Sequence, residues 1–114
     1  MDYHIVKISR NKKQYLDLLL LGDEQEIMID RYLERGDLFV LEDNGIKAVC
    51  VVTKEGPKIC ELKNIAVTPS AQRQGYGRKL INYLINHYSK ENMETNAKII
   101  SDISAAVYRY AGNR

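Results

Sequence analysis

No run of apolar residues in the 114-residue chain approaches the roughly 20 needed to cross a bilayer, so neither a membrane-spanning helix nor a membrane partner is expected. The longest such run, LDLLLLG around Leu18, is the length of a core helix. Cysteine is scarce as well: Cys50 and Cys60 are the only two, too few for a disulfide framework or a cysteine-based metal site, and no metal is expected. They fall on consecutive expected strands of one hairpin, which allows them to lie close together. No signal-peptide-like segment opens the chain, so the expected compartment is a reducing cytoplasm, where free buried thiols are the rule. An excess of one charge is also missing. With 17 Lys and Arg against 15 Asp and Glu, the formal net charge is only +2, too small to argue for a nucleic-acid partner.

What is present suits one globular domain: 45% hydrophobic and 28% charged residues in a length that a single core normally serves. Tyr3 to Ile8 alternates as a strand. Tyr15, Leu16, Leu19 and Leu20 then recur at helical spacing up to Gly22. Asp23, with Glu26 three residues on, predicts a capping-box-like start to a second helix with Ile27, Met28, Tyr32 and Leu33 on one side and Gly36 at its end. The period then changes. Asp37 to Glu42 reads as a buried strand, Asp43-Asn44-Gly45 as a hairpin turn, Ile46 to Thr53 as the returning strand, Glu55-Gly56-Pro57 as a second turn and Ile59 to Val67 as a fourth strand. Strands joined by such tight turns must be antiparallel neighbours, because parallel pairs need long crossovers.

The chain is organised around the junction at the end of that fourth strand. Val67-Thr68-Pro69 leads through Gln72-Arg73-Gln74-Gly75-Tyr76-Gly77 into a helix carrying Leu80, Ile81, Leu84, Ile85 and Tyr88 on one stripe. Glycines at 75 and 77 remove side chains that would hold a ligand off the backbone, and the first turn of a helix offers unpaired N–H groups at the positive end of its dipole. Such a junction suits a diphosphate. Arg73, Arg78 and Lys79 add local positive charge, although a lysine there is equally consistent with a solvated helix start. No G-x-G-x-x-G is completed after Gly77 and no G-x-x-x-x-G-K-[ST] occurs, so the common nucleotide signatures do not apply. Lys98-Ile99-Ile100 reads as a short fifth strand and Ser104 to Tyr110 as a final helical turn or two.

The string V-x-P followed by Q-x-x-G-x-G resembles the acetyl-CoA-binding signature of the GNAT N-acetyltransferase superfamily, and ELKNIAV upstream looks like the strand that precedes this loop in its bacterial members. The resemblance implies one acetyltransferase-like domain over residues 1–114. Its fold class is α+β, a mixed, mainly antiparallel sheet flanked by helices in the order β-α-α-β-β-β-α-β-α, without the two strands that normally complete the sheet. It also implies acetyl-CoA as cosubstrate and the primary amine of a small molecule, polyamine-like for instance, or of a peptide as acceptor. The amides of Gln72, Arg73, Gln74, Gly75, Tyr76, Gly77 and Arg78 would take the diphosphate, and backbone groups near Ile65, Ala66 and Val67 the pantetheine arm.

The same likeness makes Glu61, a carboxylate on the fourth strand, the candidate general base, with apolar neighbours that would raise its pKa. Solvent exposure or a pair with Lys63 on the same face is the competing reading. In AAVYRYAGNR, Tyr108 takes the position of the tyrosine that protonates the departing thiolate, with Tyr110 as its rival. The pattern departs from relatives in three places: Asn113 stands where they have phenylalanine, the turn after the fifth strand is shortened to Ser101-Asp102-Ile103-Ser104 with Ser104 where an asparagine commonly contacts the cofactor, and the chain stops at Arg114. An open fifth-strand edge predicts a homodimer or higher oligomer. A non-catalytic acyl-CoA-binding or scaffolding protein and a small nucleotide-binding regulator remain the alternatives.

Overall fold

The computed structural model describes residues 2–90. Tyr108, Tyr110, Ser104, Asn113 and the expected fifth strand and final helix lie outside the described residues. Strand β1 (His4–Ile8) is followed by a 3-10 turn (Lys12–Tyr15), helices α1 (Leu16–Gly22) and α2 (Glu26–Tyr32), strands β2 (Asp37–Glu42), β3 (Ile46–Gly56) and β4 (Ile59–Val67), a second 3-10 turn (Pro69–Ala71) and helix α3 (Tyr76–Lys90). The strands form one antiparallel sheet in the order β1-β2-β3-β4.

Alternation divides the core between the two faces of this sheet. Phe39, Leu41, Cys50, Val52, Cys60 and Val67 point to one side and meet Leu80, Ile81, Leu84 and Tyr88 of α3. Leu38, Val40, Val49, Val51 and Ala66 point to the other and meet Leu19 of α1 and Ile29, Tyr32 and Leu33 of α2. The continuous apolar run of β2, buried from Leu38 to Leu41, is explained by cover on both faces.

The capping box does not form. Helix α2 starts at Glu26 with Gln25 as its N-cap and no side-chain cap, while the Asp23 carboxylate accepts from the Gln25 N–H with one oxygen (3.4 Å) and from the Tyr32 hydroxyl with the other (3.2 Å). The buried stripe therefore runs through Ile29, Tyr32 and Leu33, and Ile27 and Met28 are exposed. The end of this segment is held by the buried Lys12, whose Nζ donates to the carbonyls of Leu33 (3.1 Å), Glu34 (3.0 Å) and Gly36 (2.7 Å), satisfying groups that a helix end leaves open. β3 runs past Thr53 to Gly56 because Lys54 and Gly56 still find partners in Cys60 and Ile59. The thiols do not meet: Cys50 pairs with Ile65 while Cys60 pairs with Lys54, an offset of roughly 13 Å along the strand. Both are buried thiols outside any disulfide, and burial pushes the Cys50 thiol far up.

A polar clamp closes the α3 side. The Tyr88 hydroxyl donates to Asp37 (2.7 Å), whose other oxygen pairs with Lys7 of β1 (3.2 Å). Burial alone would raise the Asp37 pKa, but the Tyr88 hydrogen bond and then Lys7 outweigh it, and the net direction is down. A depressed carboxylate stabilises the fold above its unfolded pKa of about 3.9 and loses that contribution as pH falls through the lower folded value. Thermal melts should therefore show the difference between wild type and Tyr88→Phe shrinking below about pH 4. A difference that stays constant across the acid range would disprove the coupling.

Candidate functional site

β4 delivers the chain to the loop with Val67 buried against α3. Thr68 then ties the loop to the start of β3: its N–H donates to the Lys47 carbonyl (2.8 Å) and its hydroxyl to the Ile46 carbonyl (3.0 Å). Pro69, with its preset φ, opens the 3-10 turn, in which Ala71 N–H reaches the Thr68 carbonyl (2.8 Å). The side-chain amides of Gln72 and Gln74 donate to the carbonyls of Val67 (3.3 Å) and Ser70 (3.4 Å), bracing the turn from within. The backbone next passes twice through the left-handed region, at Arg73 (φ 69°) and Gly75 (φ 86°). The second is natural for glycine; the first costs a side-chain-bearing residue about 1–2 kcal/mol. Strain of this kind collects where a loop must hold a particular shape.

Lys79 N–H makes the first bond into α3, to the Gly75 carbonyl (3.0 Å). The amides of Tyr76, Gly77 and Arg78 precede it and face outward at the positive end of the helix dipole. The Gln72 amide is directed at the Pro69 carbonyl (3.4 Å), which leaves the stretch from Arg73 to Arg78 as the open cradle. A Cβ at Gly77 would sit 3.6 Å from Val67 Cγ2, an ordinary contact. Internal packing therefore does not demand glycine there, whereas close approach of a ligand would. The Tyr76 hydroxyl donates to Asp43 (2.7 Å) and pins the first turn to the β2–β3 hairpin; that hydrogen bond, then burial, raises its pKa. Lys79 is no freely solvated lysine: its ammonium lies 5.7 Å from the Tyr3 ring centroid and 6.0 Å from that of Tyr76.

Glu61 and Lys63 form an ion pair at 3.2 Å, both half-buried, as the competing sequence reading allowed. Glu61 stands opposite Thr53, and the register shifts between there and Val51, so that Asn64 turns towards α1. Beyond this irregularity Ile65 packs towards α3, Ala66 towards α1 and Val67 towards α3. Among the described residues β4 pairs only with β3, and no described strand takes its outer backbone edge beside Ile65 to Val67.

Asn64 was not singled out from the sequence. Its side chain is buried, with Nδ2 donating to the Leu19 carbonyl (2.9 Å) and the Tyr32 hydroxyl (3.0 Å). It anchors the middle of α1 and the end of α2 to the strand that carries the site. Burial raises the Tyr32 phenol to about 12, with the hydrogen bond from Asn64 opposing and the Asp23 charge adding. An asparagine directly before the apolar Ile65-Ala66-Val67 run of β4 was the available signal.

The Acetyltransferase (GNAT) domain family matches residues 34–112. The chain belongs to the GNAT acetyltransferase family. Among curated relatives, an uncharacterized N-acetyltransferase of Bacillus subtilis, YvbK, is 36% identical over 80 residues, covering 69% of this chain and 52% of that protein. The ribosomal protein bS18-alanine N-acetyltransferase of Escherichia coli is 39% identical over 66 residues, covering 58% of this chain and 42% of its own length. The chain thus spans about half the length of the curated relatives it matches. In three dimensions it superposes on a GNAT acetyltransferase of Elizabethkingia anophelis with acetyl-CoA bound, at a TM-score of 0.76 and 30% identity, covering 82% of this chain and 61% of that one. A Bacillus subtilis acetyltransferase in complex with CoA gives a TM-score of 0.76 at 28% identity, over 96% of this chain and 76% of that one. The four-stranded antiparallel sheet with its flanking helices is therefore the GNAT arrangement, with the strand-loop-helix junction at the end of β4.

Proposed function

We propose that the chain binds acetyl-CoA and transfers its acetyl group to a primary amine. The observation that carries this reading is the run of outward-facing amides from Arg73 to Arg78, opened by a left-handed Arg73 and Gly75 and left uncovered at Gly77. In this reading those amides take the diphosphate, with Gln72 bracing the turn from below. The open edge of β4 at Ile65, Ala66 and Val67 takes the pantetheine arm and aligns the thioester carbonyl. Glu61, held beside Lys63, accepts the proton of the attacking amine directly or through water. Tyr108 donates a proton to the thiolate that leaves, and Ser104 contacts the cofactor. A small molecule or a peptide amine is the acceptor class, in a cytoplasmic protein. Self-association through an open sheet edge is part of the same proposal, to be read by light scattering.

Titration calorimetry with acetyl-CoA, using ATP and NAD as controls, tests the binding half. Saturable binding of acetyl-CoA alone supports the reading; equal binding of ATP or NAD would replace it with a nucleotide regulator. Release of CoA that depends on an added amine tests the transfer half. On this assay Tyr108→Phe should lower turnover by roughly 10²–10⁴-fold, the usual range for a general acid, with acetyl-CoA affinity retained. A fully active phenylalanine variant would refute the role. Binding with no amine-dependent release from any acceptor would leave an acyl-CoA-binding protein.

A further inference from the structure

The loop is fastened from outside by an element that carries none of its signature residues. That element is the turn between β2 and β3, and it meets the loop on both flanks. Before the cradle, Thr68 donates from its N–H to the Lys47 carbonyl (2.8 Å) and from its hydroxyl to the Ile46 carbonyl (3.0 Å). After it, the Tyr76 hydroxyl donates to the Asp43 carboxylate (2.7 Å). Thr68 and Tyr76 bracket the whole cradle, yet both end on the same turn. The turn is itself firm: Asn44 (φ 55°) and Gly45 (φ 108°) take the left-handed conformation that a tight hairpin needs, and the Asp43 N–H donates to the Gly45 carbonyl (2.9 Å).

The two kinds of fastening differ in strength. Inside the loop, the side-chain bonds from Gln72 and Gln74 are long, at 3.3 and 3.4 Å. The Tyr76–Asp43 bond is short and runs to a charged acceptor, which makes it the stronger kind. Asp43 also raises the Tyr76 pKa, so the phenol keeps its proton and stays the donor at neutral pH. Electrostatics alone would not put a carboxylate here, because its charge opposes any anion drawn to the amides and the positive end of α3. Its contribution is mechanical.

We infer that Asp43 is a positioning residue for the cradle: by holding the Tyr76 hydroxyl it fixes the first turn of α3, and with it the amides of Tyr76, Gly77 and Arg78, in the orientation that receives a diphosphate. Less order then has to be imposed when the ligand arrives, and binding is tighter for it. The ligand assignment rests on the proposed function, whereas the clamp is a property of the fold.

The test is titration calorimetry of acetyl-CoA on the full chain, with thermal melts of the unliganded protein. Asp43→Ala and Tyr76→Phe each remove the bond, and each should weaken acetyl-CoA by about tenfold, or about 1.4 kcal/mol. The double variant should be no weaker than either single one, because the two side chains act as a unit. Asp43→Asn keeps an oxygen that can accept from Tyr76 and loses the charge, so it should bind at least as tightly as wild type. A side chain that served stability alone would lower the melting temperature of Asp43→Ala and leave its affinity where it was. Four results overturn the inference: wild-type affinity in Asp43→Ala or Tyr76→Phe, tighter binding by Asp43→Ala, losses that add in the double variant, or an Asp43→Asn protein as weak as Asp43→Ala. Should Asp43→Ala not fold, Tyr76→Phe and Asp43→Asn carry the same comparison. Each of these results leaves the proposed function standing as long as wild type binds acetyl-CoA; a wild-type chain that does not bind it ends both.

Discussion

Replacing Gly77 with glutamate should abolish measurable acetyl-CoA binding, a loss of at least 100-fold or about 2.7 kcal/mol, while the protein stays folded. The two halves of that expectation have separate causes. A Cβ at this position meets only Val67 Cγ2, at 3.6 Å, and the backbone is not in the left-handed region. Glycine is moreover about 0.8–1.0 kcal/mol worse than alanine in a helix, so a side chain here does not destabilise α3. What changes is the surface that faces a ligand: a carboxylate and its methylenes would stand in the first turn, among amides placed to receive negative charge. Gly75→Glu would confuse these effects, because at φ 86° any other residue is strained. Calorimetry with acetyl-CoA and a far-ultraviolet circular dichroism spectrum read the outcome. Retained affinity in a folded Gly77→Glu protein would remove the diphosphate from this loop.

The largest stability effect is expected from a substitution that looks benign. Gly22 closes α1, where alanine should be favourable by local propensity. The tertiary contacts reverse the sign: a Cβ on Gly22 would lie 2.1 Å from Asn64 Oδ1 and 2.9 Å from the Ile65 carbonyl oxygen. Neither neighbour yields easily. Asn64 is held by its bonds to the Leu19 carbonyl and the Tyr32 hydroxyl, and the Ile65 carbonyl belongs to the β4 backbone. Forcing α1 away from β4 should cost about 1–3 kcal/mol, in the range of overpacked cores. For a chain of this length that corresponds to a fall in Tm of roughly 3–15 °C. Because the displaced strand is the one proposed to hold the pantetheine arm, acetyl-CoA binding should weaken too. A Gly22→Ala protein as stable as wild type would show that α1 and β4 do not meet this closely.

Much of this was readable in the chain itself. β2 and β4 begin and end where alternation and turn residues place them, because Asn44 and Gly45 accept positive φ and a two-sided apolar run has no other use. The loop signature was readable for a similar reason: V-T-P and Gly75 act through local backbone geometry, which sequence neighbours largely determine. The core stripe of α3 followed from period alone. Local patterning failed where the outcome depended on a distant partner. Asp23 resembled a helix cap, but α2 starts two residues later than a cap there requires, and one of the Asp23 carboxylate oxygens serves Tyr32, nine residues on. Ile27 and Met28 read as a buried face until the packing of α2 turned Ile29 inward. Asn64, Lys12 and the aromatic seat of Lys79 all depend on groups brought together across 21 to 76 positions of sequence. A side chain's neighbours along the chain carry no information about such contacts, because they arise only when α1 and α2 close over one face of the sheet and α3 over the other.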